Sequence, residues 1–317
     1  MKGHADIRDY FHIGRKTRHG AAATRSPPSR MPKKEADVIA IRIITDSTSD
    51  LSREDQARLD IQVIPLTVRF SGVSYLDGVE LTNEQFYDKL DTCKELPTTS
   101  QVPPQTFIDI FQHHLDGGDE VVGIFISSEI SGTYNSARIA KETLASDRLH
   151  LVDSRITTLG LAVLVAEAAR CRDEGLPAAQ IAEHIAELTK KVRLLVVINT
   201  LKYLRKGGRI SAAATVLGEA LGMKPIVTMV DGTVHPAGKA RGMQAALKEL
   251  LRKVTADLPD LRYTVAFAHS SAPELVDKAI ALLKEPLQLL DWLVCSGGSV
   301  VGTYAGRGAV GFAYIAK

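Results

Sequence analysis

From Ile41 onward the chain alternates between two hydrophobic periods. The β-branched run "VIAIRIITD" predicts a buried strand that stops at the polar turn "STSD". A short helix and a further strand follow in "LSREDQARLDIQVIPLTVRF", and Thr82 stands as the N-cap of a helix in "LTNEQFYDKLDTC". The unit then repeats: Val121 to Ile126 is an apolar run, Ser131 to Leu144 has helical spacing, and "LHLVDS" is another strand. Such alternation predicts a mostly parallel sheet flanked by helices, and sheets of that kind bind ligands beyond the carboxyl ends of their strands. The loops Thr45 to Asp50 and Ser127 to Ser131 belong at that edge.

The second half opens with two helical stretches, Thr158 to Glu174 and Ala178 to Val192. The first is apolar around most of its circumference, which predicts burial on all sides. A strand in "RLLVVIN" leads to the glycine turn of "LKYLRKGGRIS", and Asp231-Gly232 sits between two β-prone runs as a hairpin signal. "MQAALKELLRKV" and "APELVDKAIALLK" predict helices, "RYTVAFAHS" and "GAVGFAYIA" strands. The expected fold class is α/β in two domains with a boundary near Ser154. A mostly parallel N-terminal domain spans 41–154, and a C-terminal α/β domain with antiparallel strands spans 155–317.

Composition narrows the function classes. With 45% hydrophobic and 24% charged residues the chain fits a globular protein with a sizeable core. No apolar run is long enough to cross a bilayer, and no charged n-region precedes an apolar h-region. Cys93, Cys171 and Cys295 are far apart and form no CxxC pair, so neither a disulfide framework nor a cysteine-rich zinc site is expected. A reducing cytoplasm is the compartment that fits. Residues 1–40 hold nine Lys/Arg against four Asp/Glu, while the remainder is net negative, which argues against a nucleic-acid-binding core. This basic stretch lacks periodicity and is expected to be a disordered extension, with Met31 a candidate start.

Several catalytic and metal patterns fail in context. Gly306, Gly308 and Gly311 match GxGxxG, but no helix and second strand can follow in the six residues that remain. His184 lacks a partner four residues on, and His113-His114 cannot share one helical face, so no zinc helix forms and no metal site is expected. Asp46 and Asp50 could hold magnesium, but turn and cap roles are the commoner use of such residues.

Two hydroxyl-rich segments are left over. One is "PTTSQVPPQTF", with Thr99 ahead of a proline pair that starts a helix; the other is "SSEISGTYNSA", with Ser131 at a strand-to-helix junction. Hydroxyls and free N–H groups at a helix N-terminus suit a carboxylate.

The order of motifs resembles the DegV family, which includes the fatty-acid-binding subunits of bacterial fatty acid kinase. The resemblance runs from about Ile41 to the C-terminus through "IITDSTSDL", "TTSQVPPQTF", "ISSEISGTYNSA", "LKYLRKGGRIS" and "VGTYAGRGAVG". It implies a DegV-like two-domain fold that holds a long-chain fatty acid such as hexadecanoate in an apolar tunnel, without a further cofactor. Thr99 and Ser131 would bond its carboxylate with His269 nearby, and Arg209 would lie on the rim where a separate fatty acid kinase docks. Transient membrane contact is compatible with that role. The chain itself would be a binding subunit rather than an enzyme. Similarity to the dihydroxyacetone kinase substrate domain offers the alternative of an enzyme using His269. The chain departs from the family pattern at Tyr304 and Arg307, where many members have histidine and proline, and in "HSSAPE" after the last strand-end histidine.

Overall fold

The computed structural model describes residues 39–210 and 221–317, so the expected extension and Met31 lie outside the described residues, apart from Ile39 and Ala40. Strand β1 (Ile41–Asp46) passes through a 3-10 turn (Ser47–Ser49) into helix α1 (Arg53–Arg58), β2 (Ile61–Ile64), β3 (Thr67–Phe70) and β4 (Val73–Leu76). Helix α2 (Asn83–Thr92), β5 (Thr98–Ser100), α3 (Pro104–Asp116), β6 (Glu120–Phe125), α4 (Thr133–Leu144) and β7 (Leu149–Asp153) follow. Then come α5 (Thr158–Asp173), α6 (Ala178–Leu188), β8 (Val192–Val197), α7 (Lys202–Lys206), β9 (Met223–Val230) and β10 (Thr233–Arg241). The chain ends with α8 (Met243–Ala256), β11 (Ala266–His269), α9 (Pro273–Leu283), β12 (Leu293–Ser296), α10 (Ser299–Ala305) and β13 (Val310–Ile315).

Three sheets result among the described residues. Four parallel strands run in the order β2-β1-β6-β7, with Ile43 between Ile61 and Val122. Six strands run β10-β9-β8-β13-β11-β12, all antiparallel neighbours except β11 and β12. A separate antiparallel sheet, β4-β3-β5, is not what the sequence pattern predicts. "IQVIPLTVRF" reads as one strand but is two in different sheets, because Pro65 has no N–H to continue a ladder and turns the chain between Ile64 and Thr67. The hydroxyl-rich Thr98–Ser100 segment is likewise a strand, pairing Thr99 with Val68, as β-branched threonine favours.

Local chemistry explains the element ends. Thr82 accepts from Gln85 N–H and Gln85 returns the bond in a capping box. Pro104 opens α3, where its missing N–H leaves nothing unpaired. Helix α5 is buried on nearly every face, as its composition predicts, and one apolar cluster runs through it from Ile43 and Val122 of the parallel sheet to Ala266 and Ala313 of the mixed sheet. Both sheets therefore share a core across this helix. Gly306, Gly308 and Gly311 lie after α10 and at the start of β13, the reverse of the strand-to-helix order a dinucleotide loop needs.

Candidate functional site

A cavity of about 380 Å3 lies between the mixed sheet and the loops at the carboxyl edge of the parallel sheet, within the size range of small-molecule sites. Strand periodicity makes its apolar wall: Leu194 and Val196, two apart on β8, both face it, and Leu66, Leu159, Val227 and Val310 add to the lining. Thr99, Ser131, Arg209 and His269, the four residues singled out in the sequence, all line this one cavity.

Their contacts join the two hydroxyl segments. The Thr99 hydroxyl is 2.7 Å from the Tyr304 hydroxyl, which α10 presents from the far end of the chain. The Arg209 guanidinium stacks 5.3 Å above the Tyr304 ring, donates to the Ile130 carbonyl at 3.2 Å, and is exposed at the rim. Gly132 lies against the Gln101 side chain so closely that an added Cβ would stand 1.8 Å from its Oε1. A larger residue would have to push the Gln101 side chain aside, and the 99–101 and 131–132 segments lie side by side. Gln101 is itself anchored by a 2.9 Å bond to Ser136 on α4. The Ser131 hydroxyl donates to Thr133 Oγ1 at 3.0 Å and accepts from Thr133 N–H at 3.3 Å. The N-cap of α4, Gly132, has no side chain to offer its first turn, where Ser131 accepts from Thr133 N–H, so the N-terminal dipole favours an anion.

His269 is half-buried at the end of β11, where its Nδ1 accepts from Ala272 N–H at 3.3 Å. That bond requires an unprotonated Nδ1 and makes Nε2 the donor. Burial lowers its pKa, against the pull of Glu274 and Asp277, so the ring is neutral near pH 7. The lining thus brings the Thr99–Tyr304 hydroxyl pair and the Ser131 segment beside the exposed Arg209 guanidinium, and elsewhere includes a neutral imidazole and aliphatic side chains.

Sequence reasoning missed the roles of Tyr304 and of Asp50 and Asp77, two of three buried aspartates behind the cavity wall. Tyr304 stands out in the sequence only as a departure, since its contact with Thr99 is set by tertiary structure. Asp46 does cap its turn, accepting from Thr48 N–H at 2.9 Å and Thr48 Oγ1 at 2.6 Å, and also takes Ile126 N–H at 2.7 Å. Asp50 and Asp77 instead reach the start of α10. Desolvation pushes Asp46 up to about 6 and Asp50 up to about 8, and raises Asp77 as well.

Away from the cavity, Glu167, Cys171 and His184 bring donor atoms within 4.8 Å of one another. Helix α5 places Glu167 and Cys171 on one face at i and i+4, and His184 comes from α6. Both Glu167 oxygens are taken by the Arg170 fork, at 2.8 and 2.7 Å, while His184 Nε2 sits 2.9 Å from Oε1. A cation would have to displace that guanidinium, so this group acts as a polar tie between α5 and α6.

Comparison with known proteins matches this architecture. A family model described as an uncharacterised protein of the DegV family covers residues 40–317. A DegV domain-containing protein of Caldanaerobacter subterraneus is 34% identical over 274 residues, 86% of this chain and 97% of that relative. Among solved structures, a DegV family protein from Thermus thermophilus, described by its fatty acid binding, superposes with a TM-score of 0.80 at 30% identity. The match covers 87% of this chain and 100% of that one. A stearic-acid-binding protein from Eubacterium ventriosum gives a TM-score of 0.79 at 27% identity, covering 87% and 98%.

Proposed function

The chain belongs to the DegV family, and from that premise we propose that it binds a long-chain fatty acid with its carboxylate at the Thr99–Ser131–Tyr304 end of the cavity. One observation carries the reading: a mainly apolar cavity in which the Thr99 and Tyr304 hydroxyls meet, with the Ile130–Gly132 segment and an exposed arginine beside them. The solved relatives whose described ligands are fatty acids support it.

The energetics follow from the lining. Burying about 14 methylenes at ~0.8 kcal/mol each gives roughly 11 kcal/mol before ordering costs, so the tail supplies affinity. The head supplies orientation. A carboxylate leaving water needs its lone pairs filled, and the Thr99, Ser131 and Tyr304 hydroxyls, the His269 Nε2 donor and the start of α4 offer partners without a buried cation. Before a ligand enters, the Thr99 and Tyr304 hydroxyls satisfy each other.

The carboxylate end lies by the rim, so the same geometry suits a carrier that shows the head to a separate kinase. Arg209 is the group for that step, because its guanidinium stays charged and can grip a phosphoryl group or an acidic partner. Native mass spectrometry of the purified protein tests the binding, with a co-purified mass of a 16- or 18-carbon acid expected, on the order of a palmitate or stearate tail. Thr99→Ala, Ser131→Ala and Tyr304→Phe are each expected to weaken palmitate binding by about 1–3 kcal/mol, or roughly 5- to 150-fold in Kd. A cavity that takes up no acyl chain, or variants that bind palmitate as the wild type does, would remove the proposal.

A further inference from the structure

Helix α10 carries Tyr304 to Thr99, and what fixes this helix is a pair of carboxylates that face away from any ligand. Val300, Val301, Tyr304 and Ala305 of α10 line the cavity. At its start, Asp50 Oδ1 accepts from Gly298 N–H at 2.8 Å, and Asp77 Oδ1 accepts from Ser299 N–H at 2.8 Å and from the Ser299 hydroxyl at 2.6 Å. Both acids are buried, 7% and 4% exposed, and belong to the loops after β1 and β4. They meet at Gly298, where an added Cβ would stand 3.2 Å from Asp50 Oδ1 and 3.1 Å from Asp77 Oδ1. Behind the helix, Gly302 packs on Tyr87 so tightly that a Cβ would lie 2.7 Å from its hydroxyl, and that hydroxyl donates to the Gly297 carbonyl at 3.0 Å.

This is an expensive way to start a seven-residue helix. A serine or asparagine cap would satisfy the same N–H groups without burying two carboxyl groups side by side. The other Asp50 oxygen takes a 2.5 Å bond from Thr158, a cavity-lining residue held at φ 51, a left-handed conformation that a β-branched residue rarely adopts. Strain and buried carboxyl groups kept together beside a cavity are features that functional sites retain. The two carboxylates leave α10 little freedom to slide, and a hydroxyl contact at 2.7 Å is lost with a displacement of about 1 Å.

We infer that Asp50 and Asp77 are positioning residues for the acyl carboxylate: through α10 they set the place of the Tyr304 hydroxyl beside Thr99. The inference rests on the reading that this end of the cavity receives the head group. Its test is to compare palmitate with methyl palmitate, which has the same tail but no anionic head, by displacement of a fluorescent fatty acid from full-length protein.

Asp77→Ala is expected to weaken palmitate about tenfold or more while leaving the methyl ester within about twofold, and Asp77→Asn, which keeps an acceptor, to restore most of the loss. Added to Tyr304→Phe, the Asp77→Ala change should cost palmitate nothing further, because both remove one hydroxyl contact. Should Asp77→Ala fail to fold, Ser299→Ala removes one of the two bonds that Ser299 makes to Asp77 and is read in the same way. Equal losses for both ligands, or additive losses in the double variant, would make the pair ordinary folding contacts and overturn the inference. A wild type that binds neither ligand would instead overturn the reading of the cavity, and this inference with it.

Discussion

Asp50 shows how one residue type can be read correctly and its role still be missed. The motif "TDSTSD" suggests caps and turns, and Asp46 is one, but Asp50 takes bonds from Thr158 and Gly298, far away in sequence. The same limit hid Tyr304, whereas Thr99 and Ser131, which line the same cavity, stood out because hydroxyl runs are local signals. Burial has a consequence for pH. Desolvation, aided by repulsion from Asp77 and Asp46 and opposed by the Thr158 and Gly298 bonds, pushes Asp50 from 3.8 up to about 8. Between those values the folded state holds a proton that the unfolded chain has released. Its stabilising effect is therefore full below about pH 4 and is lost as pH rises through 8. Asp46, at about 6, and Asp77 act in the same direction. Thermal unfolding between pH 5 and 9 should show a Tm that falls toward the alkaline end, and Asp50→Asn, which cannot ionise, should flatten that slope. Parallel curves for the two proteins would mean that Asp50 is ionised throughout.

At the scale of elements, the hairpin that "DG" announces is present, with Asp231 at φ 48 and Gly232 at φ 81. Both central residues are left-handed, the geometry that matches the twist of the flanking strands. The sequence does not reveal what the turn touches. The Gly232 carbonyl accepts from the Ser127 hydroxyl at 2.8 Å, and the Asp231 carbonyl accepts from Arg155 at 2.6 Å. The tip of β9–β10 is thus latched onto loops of the parallel sheet, one of which continues to Ser131. A Cβ on Gly232 would stand 2.5 Å from Ser127 Oγ and 2.9 Å from Glu129 Cγ. Gly232→Ala should therefore lose both the backbone fit, about 1–2 kcal/mol, and the latch, about 1 kcal/mol. Gly72, at φ 88 with nothing within 4 Å, serves as the comparison, because Gly72→Ala loses the backbone fit alone. Denaturant midpoints for the two variants should differ in that order, and equal shifts would show that the latch adds no stability. Strand and helix alternation was legible in the same way, as a local period. The pairing order was not: β8 joins β13 and β9 through contacts between distant segments, and Pro65 splits a run that looks continuous.

Across the whole molecule, the division near Ser154 separates strands by sheet: β1 to β7 form the parallel and small antiparallel sheets, and β8 to β13 form the mixed one. Packing does not follow that division. Helix α5 is wrapped by side chains from both large sheets, with Ile43, Val122, Ala266 and Ala313 in one apolar cluster around it. The cavity likewise takes residues from both halves. Unfolding either half would strip one side of a helix whose faces are almost all apolar, and exposing that surface costs about 25 cal/mol per Å2. Heating the lipid-free protein should accordingly give one cooperative transition, with coincident circular-dichroism and fluorescence midpoints. A ligand that binds only the folded state shifts that transition by mass action. At palmitate concentrations near 100 times Kd the gain is about 2.7 kcal/mol, which for a chain of this size raises Tm by roughly 4–6 °C. Two separated transitions, with palmitate moving only one of them, would instead show that the halves fold as independent units and that the site belongs to one.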